Sequence, residues 1–416
     1  MTRISSLVAL VASLLGLLFA SYSTFDYAKH LDRRLHDIHC SIIPGAPVTD
    51  SADACRAAMY SPYSALMKEK FWGGVPISLF AVGAFCFFVA FSLYLVVSGD
   101  RAPRKAVQFF ALATLAPVGA SLLMFFISLT KLGTFCLICV GIYISSTLLG
   151  VSALLGYLGL RGEIRASGGK VGSPYARPDT GGGPGLRPDV GWTHPPAWLV
   201  ALALFTLAPA VVYASAMPDH RPYLGNCGSL KVQEEAANAL IKMSTPRSTM
   251  PTTLFEDPMC PTCKAFHERL LAEDVFDKLK VQLSLFPLDS ECNWMLTDPL
   301  HPGACIVAKA VICGGSQARQ VLEWAYENQE VLTKAGKQGK EQLRAVIQQK
   351  WGPATLNCMD EKQTAQTLNR HLHFAADNGI PVSTPQMYFN GKRFCDEDTD
   401  IGLRYTLGQI APEVLK

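Results

Sequence analysis

The chain has 416 residues, of which 49% are hydrophobic and only 17% charged, and its formal net charge is +3. So small a charged fraction does not suit an ordinary soluble protein, and a near-neutral balance with no basic stripe interleaved by aromatics excludes a nucleic-acid surface. Thirteen cysteines exclude a quiet cytosolic enzyme and point to an oxidising compartment or to active redox chemistry.

Five segments are long and apolar enough to cross a bilayer, for which about 20 residues are needed. In chain order they are Ile4–Phe25, Val75–Val97, Ala106–Thr130, Leu132–Leu160 and Trp198–Met217, and none contains Asp, Glu, Lys or Arg. The connection after the second carries Arg101, Arg104 and Lys105. The one after the fourth carries Arg161, Arg165, Lys170, Arg177 and Arg187 against three acidic residues. Basic connections stay in the cytoplasm, so the amino terminus is expected inside and the last ~200 residues outside. Retention of the first segment is expected over cleavage as a signal peptide, because its apolar run is long for one. The stretch 166–196, which includes "DTGGGPG", has no apolar periodicity and reads as a flexible cytoplasmic loop. Neither cytoplasmic connection holds a cysteine. Cys86 lies mid-helix as a packed apolar residue, and the other twelve fall at or beyond the outer surface.

The expected organisation is therefore a multi-domain membrane protein. It has a helical membrane domain over 1–160, a Gly/Pro-rich loop over 161–197 and a fifth span over 198–217. A linker and domain entry over 218–250 then lead to an α/β domain over 251–416.

In that last domain "TTLF" is a short strand, and "EDPMCPTC" turns from it into a helix with apolar spacing at Phe266, Leu270, Leu271 and Phe276. "VQLSLFPL" is a second buried strand, and residues 303–377 are mostly helical in composition. "QMYFNGKRF" is a hairpin about Asn390-Gly391. A final helix is expected near Leu403–Leu415. This order resembles the thioredoxin fold, with a helical insertion like that of the DsbA branch. The resemblance implies a cis bond at Thr384-Pro385, and an X-Pro bond pays only about 0.5–1 kcal/mol for that form.

"CPTC" carries its own chemistry. A cysteine at a helix amino terminus faces unpaired N–H groups and the positive dipole end, which stabilise a thiolate. Pro261 fits the first turn, where its missing N–H is no loss. Cys260 is then the exposed nucleophile and Cys263 the buried resolving partner, while Glu256 and Asp257 would raise the nucleophile's pKa if close. Zinc is the competing use, since Cys260, Cys263, Cys292 and Cys305 supply four thiolates. A zinc ribbon, however, wants turn residues after its first pair and not an amphipathic helix. Cys227, Cys292, Cys305, Cys313, Cys358 and Cys395 form an even set suited to structural disulfides, with Cys292–Cys305 the first choice.

The fourth span opens with "KLGTFCLICVGIYISSTLL". Cys136 and Cys139 lie only ~6–10 Å into it, and spacing of three and then four residues puts them on one helical face with Tyr143. A lone thiolate is costly in hydrocarbon, so the pair suits electron delivery to a lipid-soluble acceptor such as a quinone. Tyr143 fits either a hydrogen bond to a quinone carbonyl or an ordinary interhelical bond.

Several further residues resemble the bacterial vitamin K epoxide reductase (VKOR) family. They are Cys40 and Cys55, Ser61 six positions on, "GVP" at Gly74–Pro76, and "CLICVGIY" from Cys136 to Tyr143. The Cys40–Cys55 interval is long for that family, and "KEKFW" reads as an insertion. The resemblance implies a four-helix core with a fifth linking helix, followed by the thioredoxin-like domain. It also implies an electron path from Cys260–Cys263 to Cys40, from Cys55 to Cys136–Cys139, and from Cys139 to quinone, with Tyr143 and Ser61 at the quinone. The cofactor is then ubiquinone or menaquinone. The partners are reduced secreted or periplasmic proteins and the bilayer, and the location is the inner membrane with the thioredoxin-like domain outside. "HDIHC" with Cys55 offers a rival zinc set of His36, His39, Cys40 and Cys55, but one relay uses all six thiols and no metal. The remaining alternatives are a quinol-driven reductase or isomerase, action on vitamin K epoxide itself, and a non-catalytic thioredoxin-fold binding or chaperone module.

Overall fold

The structure, a computed structural model, describes residues 3–30, 58–59, 61–133, 135–166, 194–225, 227–395 and 402–415. Cys40 and Cys55, and with them the rival zinc set, lie outside the described residues. The chain divides into two compact units, Met1–Pro218 and Asp219–Lys416.

The first unit is helical: α1 (Arg3–His30), α2 (Ile77–Ser98), α3 (Arg104–Ala113) leading into α4 (Leu115–Ile127), α5 (Leu137–Ala166) and α6 (His194–Ala216). Among the described residues, five stretches have the length and apolar character of membrane spans: Ile4–Lys29, Ile77–Ser98, Arg104–Lys131, Leu137–Gly162 and His194–Ala216. The five apolar segments of the sequence fall on them. The first helix runs on to residue 30, past the apolar run, and so takes in Asp26. A two-stranded ribbon, β1 (Ala65–Leu66) with β2 (Val75–Pro76), precedes α2.

Small residues bring these helices together. A Cβ on Gly83 of α2 would collide with the Phe205 carbonyl oxygen of α6, and one on Gly16 of α1 would collide with the Phe85 ring. Close backbone approach through glycine is how helices gain contact where lipid offers no hydrophobic drive. Phe85, Phe88, Phe110 and Leu149 are fully buried in the shared core, while Leu122, Leu154, Leu204 and Val211 face outward, as lipid-facing residues do.

The second unit has a five-stranded sheet in the order β3 (Ile241–Met243), β5 (Leu279–Leu285), β4 (Met250–Glu256), β6 (Gln386–Phe389), β7 (Lys392–Phe394). Only β4 and β5 are parallel, so a crossover is required between them. The helix α7 (Pro261–Ala272) supplies it. Helices α8 (Ala304–Cys313), α9 (Ala318–Glu327), α10 (Gln329–Gln338), α11 (Lys340–Trp351) and α12 (Pro353–Asp360) are inserted before α13 (Lys362–Asp377), which leads back to β6. This is a thioredoxin-like α/β fold with a helical insertion. The stretch read as linker and domain entry contributes β3 at one sheet edge, and Ser229 bridges to Lys392 at the other. Asn390 and Gly391 both take positive φ, 46° and 77°, which the tight β6–β7 turn requires. A short helix, α14 (Leu403–Ile410), follows. Three disulfides close the unit: Cys227–Cys395, Cys292–Cys305 and Cys313–Cys358.

Candidate redox centres

The helical unit holds a partly open cavity of about 390 Å³, walled mostly by apolar side chains. Cys136 and Cys139 line it from the start of α5 together with Tyr143 one turn on, so the three residues do share a face. Both cysteines are free, and their side chains are hydrogen-bonded to one another. Tyr143 shares a hydrogen bond with Ser128 and meets the Phe125 ring edge-on at 6.2 Å. Ser61 reaches the cavity wall as well. Its hydroxyl donates to the Ala58 carbonyl at 2.8 Å, and the Lys68 ammonium donates to the Ser61 carbonyl.

Asp26 also lines this cavity, with only 4% of its surface exposed. The sequence reading passed over it because it stands one residue beyond the apolar run. The available signal was helical spacing: Ser23, Asp26 and Tyr27, three and four residues apart, form a polar stripe. An ionisable group at such a depth is a functional candidate in its own right.

In the second unit, β4 delivers the chain to the amino end of α7. Cys260 is the capping residue (φ −79°, ψ 121°) and Pro261 opens the helix. Both Cys260 and Cys263 are free thiols, and Cys263 is fully buried. Cys260 is only 5% exposed, less open than the sequence reading expected of a nucleophile. The Thr384-Pro385 bond is cis, as expected, and the Cys260 sulfur donates to the Thr384 carbonyl at 3.6 Å. A hydrogen bond from Cys263 lowers the Cys260 pKa to about 6, against the pull of burial, with Thr384 assisting and the Asp257 charge opposing. Burial first, and then the bond and charge of Cys260, push Cys263 well up. The asymmetry is that of an attacking thiolate and a protonated partner.

The two acids before the motif have different surroundings. Glu256 sits fully buried under the helix, where desolvation raises its pKa against the nearby His267 and a hydrogen bond from Tyr326. Asp257 is equally buried but well satisfied. It accepts from Met259 N at 2.7 Å and Leu288 N at 2.8 Å, and pairs with His301 Nδ1 at 2.7 Å. Cys292 and Cys305 are joined to each other in a disulfide, so they do not form a four-thiolate zinc set with Cys260 and Cys263. Among the described residues no His/Cys/Asp/Glu group is placed to hold a metal.

Residues 7–154 match the family model described as the Vitamin K epoxide reductase family. The helical unit carries a VKOR domain. No curated protein matches the chain. Among solved structures, the chain is similar to the oxidoreductase DsbA from Xylella fastidiosa, at 19% identity and TM-score 0.31, covering 41% of this chain and 89% of that one. It is also similar to a periplasmic thioredoxin-like protein from Salmonella enterica serovar Typhimurium, at 17% identity and TM-score 0.27, covering 42% and 90%. A VKOR domain followed by a thioredoxin-like unit bearing Cys-x-x-Cys supports a membrane-bound thiol–disulfide oxidoreductase. The matched span contains the Cys136–Cys139 pair and the whole of its cavity wall except the α6 residues Leu202 and Thr206, so the cavity is chiefly the VKOR domain's own.

Proposed function

We propose that the protein oxidises thiols of secreted proteins and disposes of the electrons to a membrane quinone, ubiquinone or menaquinone. The observation that carries this reading is the placement of Cys136 and Cys139 in the wall of an apolar cavity among membrane helices. Its volume falls in the range of small-molecule sites, and a few polar groups break an otherwise apolar lining, which is the composition such sites have. Such a wall suits a flat ring with two carbonyls, and Tyr143, Ser61 and Asp26 are among the polar groups there to orient it. Quinone, when bound, supplies a sink for two electrons and two protons.

The chain's own steps are thiol–disulfide exchanges. A substrate thiolate attacks Cys260 of the oxidised Cys260–Cys263 pair. The S–S bond breaks, and Cys263 leaves with the electron pair. A second substrate thiolate attacks the mixed disulfide, which releases an oxidised substrate and leaves Cys260 and Cys263 reduced. That pair passes two electrons to Cys40–Cys55, and Cys55 passes them to Cys136–Cys139. Re-forming the Cys136–Cys139 bond gives up two electrons and two protons, with Cys139 next to the acceptor and Tyr143 orienting it. The basic connections support a cytoplasmic-membrane location with the thioredoxin-like unit outside. The fifth span keeps that unit on the side of the Cys40–Cys55 loop, and tethering substitutes a high effective concentration for a diffusing partner.

The test is purified protein in detergent with a reduced unfolded substrate and a soluble quinone. Quinone reduction is expected, and it is expected to disappear in Cys136→Ala. Persistence at the wild-type rate in that variant would remove the relay. Cys260→Ala is expected to stop protein substrates while small dithiols still turn over.

A further inference from the structure

The tight packing around Cys260 poses an electrostatic problem. Asp257 stands three residues before it with no exposed surface, and the Cys260 amide donates to the Asp257 carbonyl at 3.1 Å. The Asp257 amide in turn donates to the Cys263 sulfur at 3.4 Å. A buried carboxylate this close opposes a thiolate, and the Cys263 and Thr384 hydrogen bonds to Cys260 leave that charge itself unanswered. His301, from a distant loop, meets the same carboxylate: its Nδ1 lies 2.7 Å from Asp257 Oδ2.

We propose that His301 is a positioning residue for the Cys260 nucleophile, the counter-ion that neutralises Asp257 so that the buried sulfur can carry charge. The proposal rests on the reading of Cys260 as the attacking thiol.

The loop is constructed to hold that contact. The Cys292–Cys305 disulfide frames the segment that carries His301. Leu300 and His301 both donate their amides to the Leu288 carbonyl at 2.9 Å, while Leu288 donates its own amide to Asp257 at 2.8 Å. Asp289 accepts from the Gly303 amide at 2.9 Å and ties down the far side. His301 is thus fixed from both ends, with 21% of its side chain open to solvent and able to exchange protons. The charged and titratable groups facing it are Asp257, Asp289 and Cys260. Burial works to discharge it, and these three together outweigh burial and favour the imidazolium. Those facing Cys260 are Cys263, Asp257, His301 and, more remotely, Glu256. No residue between Cys260 and Cys263 carries charge, since the intervening pair is Pro261-Thr262. The cation arrives instead from a loop some forty positions away.

The test uses full-length protein in detergent, briefly reduced with dithiothreitol, desalted and pulsed with iodoacetamide between pH 5 and 9. The Cys260 adduct is quantified by peptide mass spectrometry, and the same maps report whether Cys292–Cys305 stays bonded. Because only the thiolate alkylates, the profile reads its population. In His301→Gln the profile is expected to move to higher pH, with the rate at pH 6.5 falling roughly three- to tenfold. His301→Lys, which keeps a positive charge, is expected to stay within about twofold of wild type at that pH. A His301→Gln profile that overlays wild type would overturn the proposal, and so would a Lys variant as impaired as Gln. Alkylation of Cys263 with Cys260 inert would overturn the nucleophile assignment as well.

Discussion

Tyr326 donates its hydroxyl to Glu256 Oε2 at 3.2 Å, and neither side chain is more than 2% exposed. His267 Nδ1 lies 3.9 Å from the same carboxyl, and its Nε2 lies 3.6 Å from Glu323 on the other side. The cluster lies inside the fold beneath the start of α7, and desolvation dominates at Glu256, raising its pKa.

The sign of the consequence follows from linkage. An acid whose folded value exceeds the ~4.3 of a free glutamate holds its proton longer when folded. Its stabilising effect is complete below that value and is lost as pH climbs through the folded one. Glu256→Gln cannot ionise, so its thermal stability relative to wild type is expected to improve between pH 4 and pH 8. A difference that stays constant over that range would show that Glu256 does not carry this proton.

His371 acts in the opposite direction. It is fully buried, accepts from Leu285 N at Nδ1 (2.9 Å), and pairs Nε2 with the Ala239 carbonyl (2.9 Å). Burial pulls its pKa down to about 4, against the Ala239 bond and the Glu235 charge. A neutral histidine of this kind stabilises the fold above ~6.5, and the effect fades as pH falls toward 4, about 3 kcal/mol in all. His371→Gln can keep one donor and one acceptor, and it is expected to lose that acid-side decline in denaturation midpoints. If wild type and variant decline in parallel from pH 7 to pH 4.5, the assignment fails.

Gly83→Ala is expected to damage the helical unit, since the new methyl would collide with the Phe205 carbonyl oxygen and come within 2.9 Å of the Thr206 backbone. Backbone cannot rotate aside as a ring might, so a cost at or above the usual ~1–3 kcal/mol of overpacking is expected. Gly159→Ala, with nothing within 4 Å, is the control and should be neutral or stabilising. Melting of the detergent-solubilised protein separates the two, and equal midpoints would contradict the packing.

Tyr143→Phe distinguishes two uses of one hydroxyl. If it orients quinone, its removal is expected to raise KM for a soluble quinone about two- to tenfold, the worth of a neutral hydrogen bond, with a smaller change in kcat. If it serves only Ser128, KM stays put and the melting temperature falls instead.

The large architecture was legible because it is written locally. Length and hydropathy define a span wherever it packs, and Pro261 after a strand marks a helix start before any contact is known. Relations between distant residues were not legible. Nothing in "HPGAC" indicates that His301 meets Asp257, since the loop's path depends on Leu288 and on a disulfide. Asp26 was hidden by a boundary, as the apolar run stops at Phe25 while the helix does not. The nearness of Glu256 and Asp257 to Cys260 was visible. Their contrasting environments were not, because they depend on Tyr326 and His267 in one case and His301 in the other.

The three bonds Cys227–Cys395, Cys292–Cys305 and Cys313–Cys358 have a consequence for how the protein is made. A new copy leaves the ribosome with all six sulfurs reduced, one pair of them separated by 168 positions. On the proposed reading the catalyst that installs such bonds is itself a client for them. Each freshly inserted molecule must be matured by an older one, by its own half-built centre or by a separate oxidant. A cell emptied of mature copies would therefore show a lag before the activity returned, and the lag would shorten in proportion to whatever finished enzyme it had inherited.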